Sequence, residues 1–226
     1  MITKRIVSHI DEHHLLTGDL TLPDPAYGMV IFAHGSGSSR LSPRNQYVAR
    51  CLNEQGLATL LFDLLTPEED RLYSNRFNIE LLAKRLVHMT KWLIGQREFR
   101  YLAIGFFGAS TGAAAALSAS AQFNGELTAV VSRGGRPDLA GEEALQMVSS
   151  PTLLIVGGED CDVLELNRVA FSKMHCEREL YVVPEAGHLF EEPGKLQIVA
   201  DLAAEWFLRH FAERSETLTV KDRPEL

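Results

Sequence analysis

The chain has 226 residues, 46% hydrophobic and 23% charged, with a formal net charge of -8 at pH 7. A chain of this length buries roughly 70–75% of its unfolded surface as one domain, and the composition excludes disordered and membrane-spanning classes. The acidic balance, with no block of Lys or Arg to offset it, argues against nucleic acid as a partner.

Thr3 to Val7 and Leu15 to Leu22 read as short strands, the second closed by Pro23-Asp24-Pro25, and together as an antiparallel pair at a sheet edge. Met29 to Ala33 is a continuous apolar run feeding His34-Gly35-Ser36-Gly37, the pattern of a strand buried on both faces. Pro43 to Gln55 predicts a helix with Pro early and Gly56 past its end, followed by the buried run Leu57 to Phe62. Residues 64–76 form the longest insertion without periodicity and are expected to act as a small lid. The alternation then continues with helix within Phe77 to Ile94, strand Tyr101 to Phe107, helix Thr111 to Gln122 and strand Leu127 to Ser132. Helix Leu139 to Val148, strand Thr152 to Val156, helix Leu164 to Met174, strand Glu179 to Val183 and a last helix around Gly194 to Phe211 complete it, before a polar tail over 214–226. Strands alternating with helices predict a single α/β domain: a mostly parallel sheet of about eight strands with helices on both faces.

Gly108-Ala109-Ser110-Thr111-Gly112 matches G-x-S-x-G, the sharp strand-to-helix turn that exposes a nucleophilic serine above a sheet edge. At ordinary glycine and serine usage roughly one chain in ten this long shows the pattern by chance, so the context decides. Here the motif follows an apolar strand and precedes a small-residue helix, Ala113 to Ala116. The bland alternative is a serine that merely caps that helix. A serine nucleophile needs a base and a group to orient it. Asp160, with Asp162 as second choice, lies in the loop after Thr152 to Val156, and His188 in the loop after Tyr181 to Val183. Ser110, Asp160 and His188 follow the chain order of α/β-hydrolase triads. Backbone N–H groups of Ser36 and Thr111 are the candidate oxyanion donors.

The segments "FAHGSGSSR", "GASTGAAAA", "SRGGRPDLAG", "LLIVGGEDCDVLELN" and "GHLFEEPG" resemble the α/β-hydrolase superfamily, and within it dienelactone-hydrolase-like proteins of a bacterial branch also found fused to phosphoribosyltransferases. The resemblance covers nearly the whole chain and implies the same triad positions. Dienelactone hydrolase proper carries cysteine where this chain has Ser110, so the namesake substrate does not transfer.

Arg40, Arg44, Arg133 and Arg136 lie in loops at the sheet edge that carries Ser110, where guanidinium forks would suit an anionic group on a small acyl substrate. Paired surface arginines are the alternative reading. Cys51, Cys161 and Cys176 show no CxxC spacing and read as reduced thiols; acidic neighbours disfavour Cys161 as a nucleophile. His9, His13 and His14 lack a metal-ligand pattern, and no metal or cofactor is expected. No apolar run reaches membrane-spanning length and no signal-type segment opens the sequence, so the expected location is cytoplasmic, with no membrane partner. Self-association stays open. The expected activity is a carboxylic ester hydrolase acting on a small ester, lactone or thioester; a peptidase or acyltransferase using the same triad, or a non-catalytic binding module, are the alternatives.

Overall fold

The computed structural model describes residues 1–11, 14–123 and 125–221. Eight strands form one sheet: β1 (Ile2–His9), β2 (Leu15–Leu22), β3 (Gly28–Ala33), β4 (Leu57–Phe62), β5 (Ile104–Ala109), β6 (Ala129–Arg133), β7 (Thr152–Gly157) and β8 (Arg178–Val183). Their spatial order is β1-β2-β4-β3-β5-β6-β7-β8. β1 and β2 pair antiparallel, β2 joins β4 antiparallel, and every later pairing is parallel. This is the expected α/β-hydrolase architecture, with the antiparallel pair at the edge where it was predicted.

The strands β3 to β7 are buried throughout and mostly apolar because helices cover both faces. Met29, Ile31, Phe106 and Val130 pack on one side with α3 (Ile79–Gly95), α4 (Thr111–Ser120) and α5 (Glu142–Met147), together with Ala170 of α6 (Cys161–Lys173). The alternate residues Val30, Phe32, Phe107 and Val131 pack on the other side with α1 (Pro43–Glu54) and α7 (Lys195–Lys221). Period-two alternation therefore sends each strand's apolar side chains into two separate cores.

Several boundaries differ from the sequence expectation. β5 begins at Ile104 rather than Tyr101, because Leu102 N–H closes a turn onto Phe99 O at 3.0 Å. α6 begins at Cys161, directly after the acidic loop, rather than at Leu164. α7 continues past Phe211 to Lys221, so residues 214–221 extend a helix instead of starting a tail; no Gly or Pro lies between Gly194 and Pro224 to stop it. Residues 222–226 and His13 lie outside the described residues. The 64–76 insertion carries a short helix, α2 (Pro67–Asp70), and a 3₁₀ turn over Tyr73–Phe77. It is stapled by Arg76 Nε on Asp70 Oδ1 at 2.8 Å, by Asn75 Nδ2 on Glu69 O at 2.8 Å, and by an Arg85–Glu69 ion pair.

Among the described residues no helix is long and apolar enough to cross a membrane.

Candidate active site

β5 ends at Ala109 and α4 begins at Thr111, leaving Ser110 as the single residue of the turn. Its backbone sits at φ 52°, ψ −121°, a region a side chain rarely adopts. Three backbone hydrogen bonds hold it there: its N–H donates to Arg133 O (3.2 Å), and its carbonyl accepts from Ala113 N–H (3.0 Å) and Arg136 N–H (3.1 Å). The two flanking glycines are required by close approach. A methyl at Gly108 would lie 2.4 Å from Ala113 Cα, and one at Gly112 would lie 2.2 Å from Ala33 O. The pattern G-x-S-x-G is thus enforced by the crossing of α4 over β3 and β5.

Ser110 occupies the N-cap position of α4 but makes no capping hydrogen bond. This removes the bland reading of the serine. Asp160 occupies the N-cap position of α6 and likewise does not cap it. Its Oδ2 instead accepts from His188 Nδ1 at 2.6 Å, with Asp160 mostly buried and His188 part-exposed. Because a carboxylate only accepts, Nδ1 is the donor in this bond, and in the neutral imidazole Nε2 is then the acceptor. Asp162 lies instead in the first turn of α6.

The two loops that bring Asp160 and His188 together are tied to each other. Gly158 N–H donates to Val183 O (2.8 Å) and Glu159 N–H to Ala186 O (3.0 Å). The histidine loop is itself strained, with Glu185 and Phe190 both at φ 55°. Phe190 is 1% exposed and anchors the loop in the α1/α7 core, which holds that unfavourable backbone in place. Gly134, next to the residue that binds Ser110 N–H, is where this loop meets the elbow: a methyl there would lie 3.0 Å from His188 O and 3.6 Å from His188 Cε1. Among the described residues Ser110 Oγ makes no hydrogen bond to His188, a contact that free enzymes often close only around substrate.

The oxyanion candidates differ. Thr111 is the first residue of α4, so its N–H has no carbonyl one turn back within the helix. Ser36 N–H, in contrast, donates to Thr111 Oγ1 at 2.8 Å. It is open to a ligand only when that hydroxyl turns away. Gly35 packs against the elbow: a methyl on it would lie 3.2 Å from Ser110 Cβ and 3.9 Å from Oγ.

Sequence reasoning missed two struts. His34 is buried and bridges the loop to the insertion, its Nδ1 donating to Gly35 O (3.0 Å) and its Nε2 accepting from Leu64 N–H (3.1 Å). Burial pushes this imidazole below its ordinary range. A 190 Å³ cleft beside it is lined by Ser38, Ser39, Asp63, Leu65, Thr66, Pro67 and Asp70, so the insertion borders this loop as a folded wall. Asn167, fully buried on α6, donates to Gly135 O at 2.9 Å and secures the turn after β6. No motif signals either role.

The four arginines part company. Arg40 is neutralised by Asp19 (3.2 Å) and Asp63, and Arg136 makes a two-pronged pair with Asp138 at 2.9 and 2.7 Å. Arg44 reaches Glu191 at 2.7 Å through Nη1 only. Arg133 is 6% exposed, and among the described residues its Nε and Nη1 have no hydrogen-bond partner. Among the described residues no group of three or more His, Cys, Asp or Glu side chains converges to hold a metal.

The relatives agree with this architecture. A dienelactone hydrolase from Anabaena variabilis ATCC 29413, of known crystal structure, is 50% identical, with a TM-score of 0.86, the match covering 92% of this chain and 98% of that one. The chain belongs to the dienelactone hydrolase family. Two Mycobacterium tuberculosis proteins, from strains CDC 1551 / Oshkosh and H37Rv, both named as phosphoribosyl transferases, are 58% identical over 195 residues. These matches cover 86% of this chain and 44% of each mycobacterial protein, so the chain spans less than half the length of those relatives. That fits the branch in which such domains are fused to phosphoribosyltransferases. Est1E from Butyrivibrio proteoclasticus shares the fold at 16% identity and a TM-score of 0.77, covering 92% of this chain and 99% of its own. No protein-family model matches the chain.

Proposed function

We propose that this member of the family is a serine hydrolase that cleaves a small ester, lactone or thioester through an acyl-enzyme. Ser110 Oγ attacks the acyl carbonyl while His188 Nε2 takes its proton, and Asp160 holds the imidazole in the Nδ1–H tautomer and stabilises the imidazolium. The Thr111 N–H, joined by Ser36 N–H once the Thr111 hydroxyl turns aside, receives the oxyanion. His188 then protonates the leaving group, and water attacks the acyl-enzyme with the same imidazole as base.

The observation that carries this reading is the 2.6 Å Asp160–His188 pair beside a strained serine that caps nothing. A helix start built only for stability would use both side chains as caps. The family likeness at 50% identity supports hydrolysis of an acyl bond.

Labelling with a fluorophosphonate followed by peptide mapping tests the proposal. The expected adduct sits on Ser110 and is absent from Ser110→Ala. Labelling no faster than in heat-denatured protein would overturn it in favour of a non-catalytic module.

A further inference from the structure

Asn167 is fully buried in the middle of α6, in a stripe with Leu164 and Ala170. A helix face that only packs against a core is apolar, so an amide in that stripe needs a physical reason. Its Nδ2 donates to Val163 O within α6 at 2.7 Å and to Gly135 O, 32 positions away in the turn after β6, at 2.9 Å. Two carbonyls at the nitrogen fix which way the amide faces. Its Oδ1 is buried and has no hydrogen-bond partner among the described residues. An unmet buried acceptor costs stability, which an apolar side chain of the same size would avoid.

The turn that Asn167 holds is the one on which the nucleophile rests. Arg133 O accepts from Ser110 N–H at 3.2 Å and Arg136 N–H donates to Ser110 O at 3.1 Å, so the elbow is gripped from both sides of Gly135. Gly134 lies against the histidine loop, where a methyl would come within 3.0 Å of His188 O. Gly135 lies against the first turn of α4, where a methyl would come within 2.7 Å of Ala113 Cβ. The acid belongs to the other end of the strut. Asp160 opens α6, its carbonyl accepting from Leu164 N–H at 2.8 Å, about two helical turns before Asn167. One side chain therefore joins the helix that carries Asp160 to the turn that seats Ser110 and abuts His188.

We propose that Asn167 is a positioning residue for the triad. By fixing Gly135 O to α6 it sets how Ser110 is presented to His188, acting through the turn at 133–136. This rests on the serine hydrolase reading and names the residue that aligns its parts.

The test uses Asn167→Leu, which keeps volume and loses both hydrogen bonds, and Asn167→Thr. The threonine hydroxyl still bonds Val163 O one turn back, but it is one bond shorter than the amide that reaches Gly135 O. Leu164→Ala, in the same stripe, is the packing control. Acylation is read as the rate of fluorophosphonate labelling at Ser110, turnover as kcat and KM for p-nitrophenyl acetate, and stability as Tm. Both Asn167 variants are expected to label and turn over about 10²-fold more slowly, the loss that a shift of about 1 Å in the reacting groups brings, with KM within about twofold of wild type. Asn167→Leu should do so with a Tm near that of wild type, because removing the unmet Oδ1 offsets the partner that Gly135 O loses. Leu164→Ala should lower Tm and leave labelling and kcat close to wild type. Wild-type rates in both Asn167 variants, or a loss of rate that Leu164→Ala matches at an equal fall in Tm, overturn the positioning role and leave the hydrolase reading standing. Should Asn167→Leu fail to fold, the Asn167→Thr rates decide alone. Wild type that neither labels nor turns over overturns the hydrolase reading, and this role with it.

Discussion

The starts of α1, α2 and α3 differ from those of α4 and α6 in what the residue before the helix does with its side chain. Ser42 accepts from Asn45 N–H, Asn78 accepts from Leu81 N–H at 3.1 Å, and Thr66 and Glu69 form a reciprocal capping box at 3.2 and 2.9 Å. Ser110 and Asp160 are equally good cap formers by type and cap nothing. Each forgoes about 1 kcal/mol of helix stability, and Ser110 adds a backbone strain of about 1–3 kcal/mol. Residues that depart from their local preference in this way, in the turns that follow β5 and β7, are the mark of a site kept for chemistry rather than stability.

Removing the serine separates the two groups most sharply. Ser110→Ala should lower ester turnover by about 10⁴–10⁶-fold with no loss of stability, since no cap is removed. Ser110→Gly should be equally inactive yet more stable by about 1 kcal/mol, because glycine accepts the positive φ without strain. Urea unfolding of both, beside steady-state kinetics, reads the two effects; a clear loss of stability in Ser110→Ala would return the residue to the helix-cap reading.

Asp160 divides the acidic loop in the same manner. Asp160→Asn leaves an amide facing His188 Nδ1 and favours the wrong tautomer, so kcat should drop by about 10³–10⁴-fold. Asp162→Asn, in the first turn of α6, should leave kcat as it was. Equal effects of the two changes would dissolve the distinction that the 2.6 Å contact draws.

How much of this could be read from the chain follows from what each feature depends on. The buried strands were legible because being covered on both faces imposes continuous apolar runs, and the elbow because Gly108 and Gly112 are demanded by sterics. The choice between Asp160 and Asp162 was not, since it depends on α6 starting at Cys161, which lacks an apolar period to announce it. The pairing of Arg40 with Asp19 and Asp63 joins residues 21 and 23 positions away across the sheet edge, which no local pattern encodes. The same holds for Ser36 N–H, taken up by a hydroxyl 75 residues away. The run of α7 beyond Phe211 is not announced in the sequence, because its last turns are polar and carry no apolar period, while no Gly or Pro stops the helix before Lys221.

The capped starts give a smaller effect of opposite sign. Ser42→Ala and Thr66→Ala should each cost about 1 kcal/mol in urea unfolding. In Thr66→Ala only the Glu69 N–H to Thr66 Oγ1 half of the box is lost, since the backbone N–H at 66 still donates to Glu69 Oε2. Turnover should change little in Ser42→Ala. If Ser42→Ala were as inactive as Ser110→Ala, the division between structural and chemical helix starts would fail.

His34 links the two regions, since it holds the glycine loop beside Ser110 to the chain that leads into α2, and its titration gives the smallest expected signal. Burial lowers its folded pKa below the unfolded value of 6.5, so as the pH falls through 6.5 the unfolded chain binds a proton that the folded protein refuses. Stability contributed by neutral His34 is thus present above 6.5 and is lost progressively below it, until the folded imidazole also protonates. One proton gives a slope of at most about 1.4 kcal/mol per pH unit. His88, lowered by burial and by Arg85, acts with the same sign, so His34→Gln should reduce the slope between neutral and mildly acidic pH without abolishing it. Urea midpoints for wild type and His34→Gln across that range read the difference. Parallel curves would mean that His34 takes up its proton in the folded state as readily as in the unfolded one, and that the loop beside Ser110 is not held by a neutral imidazole.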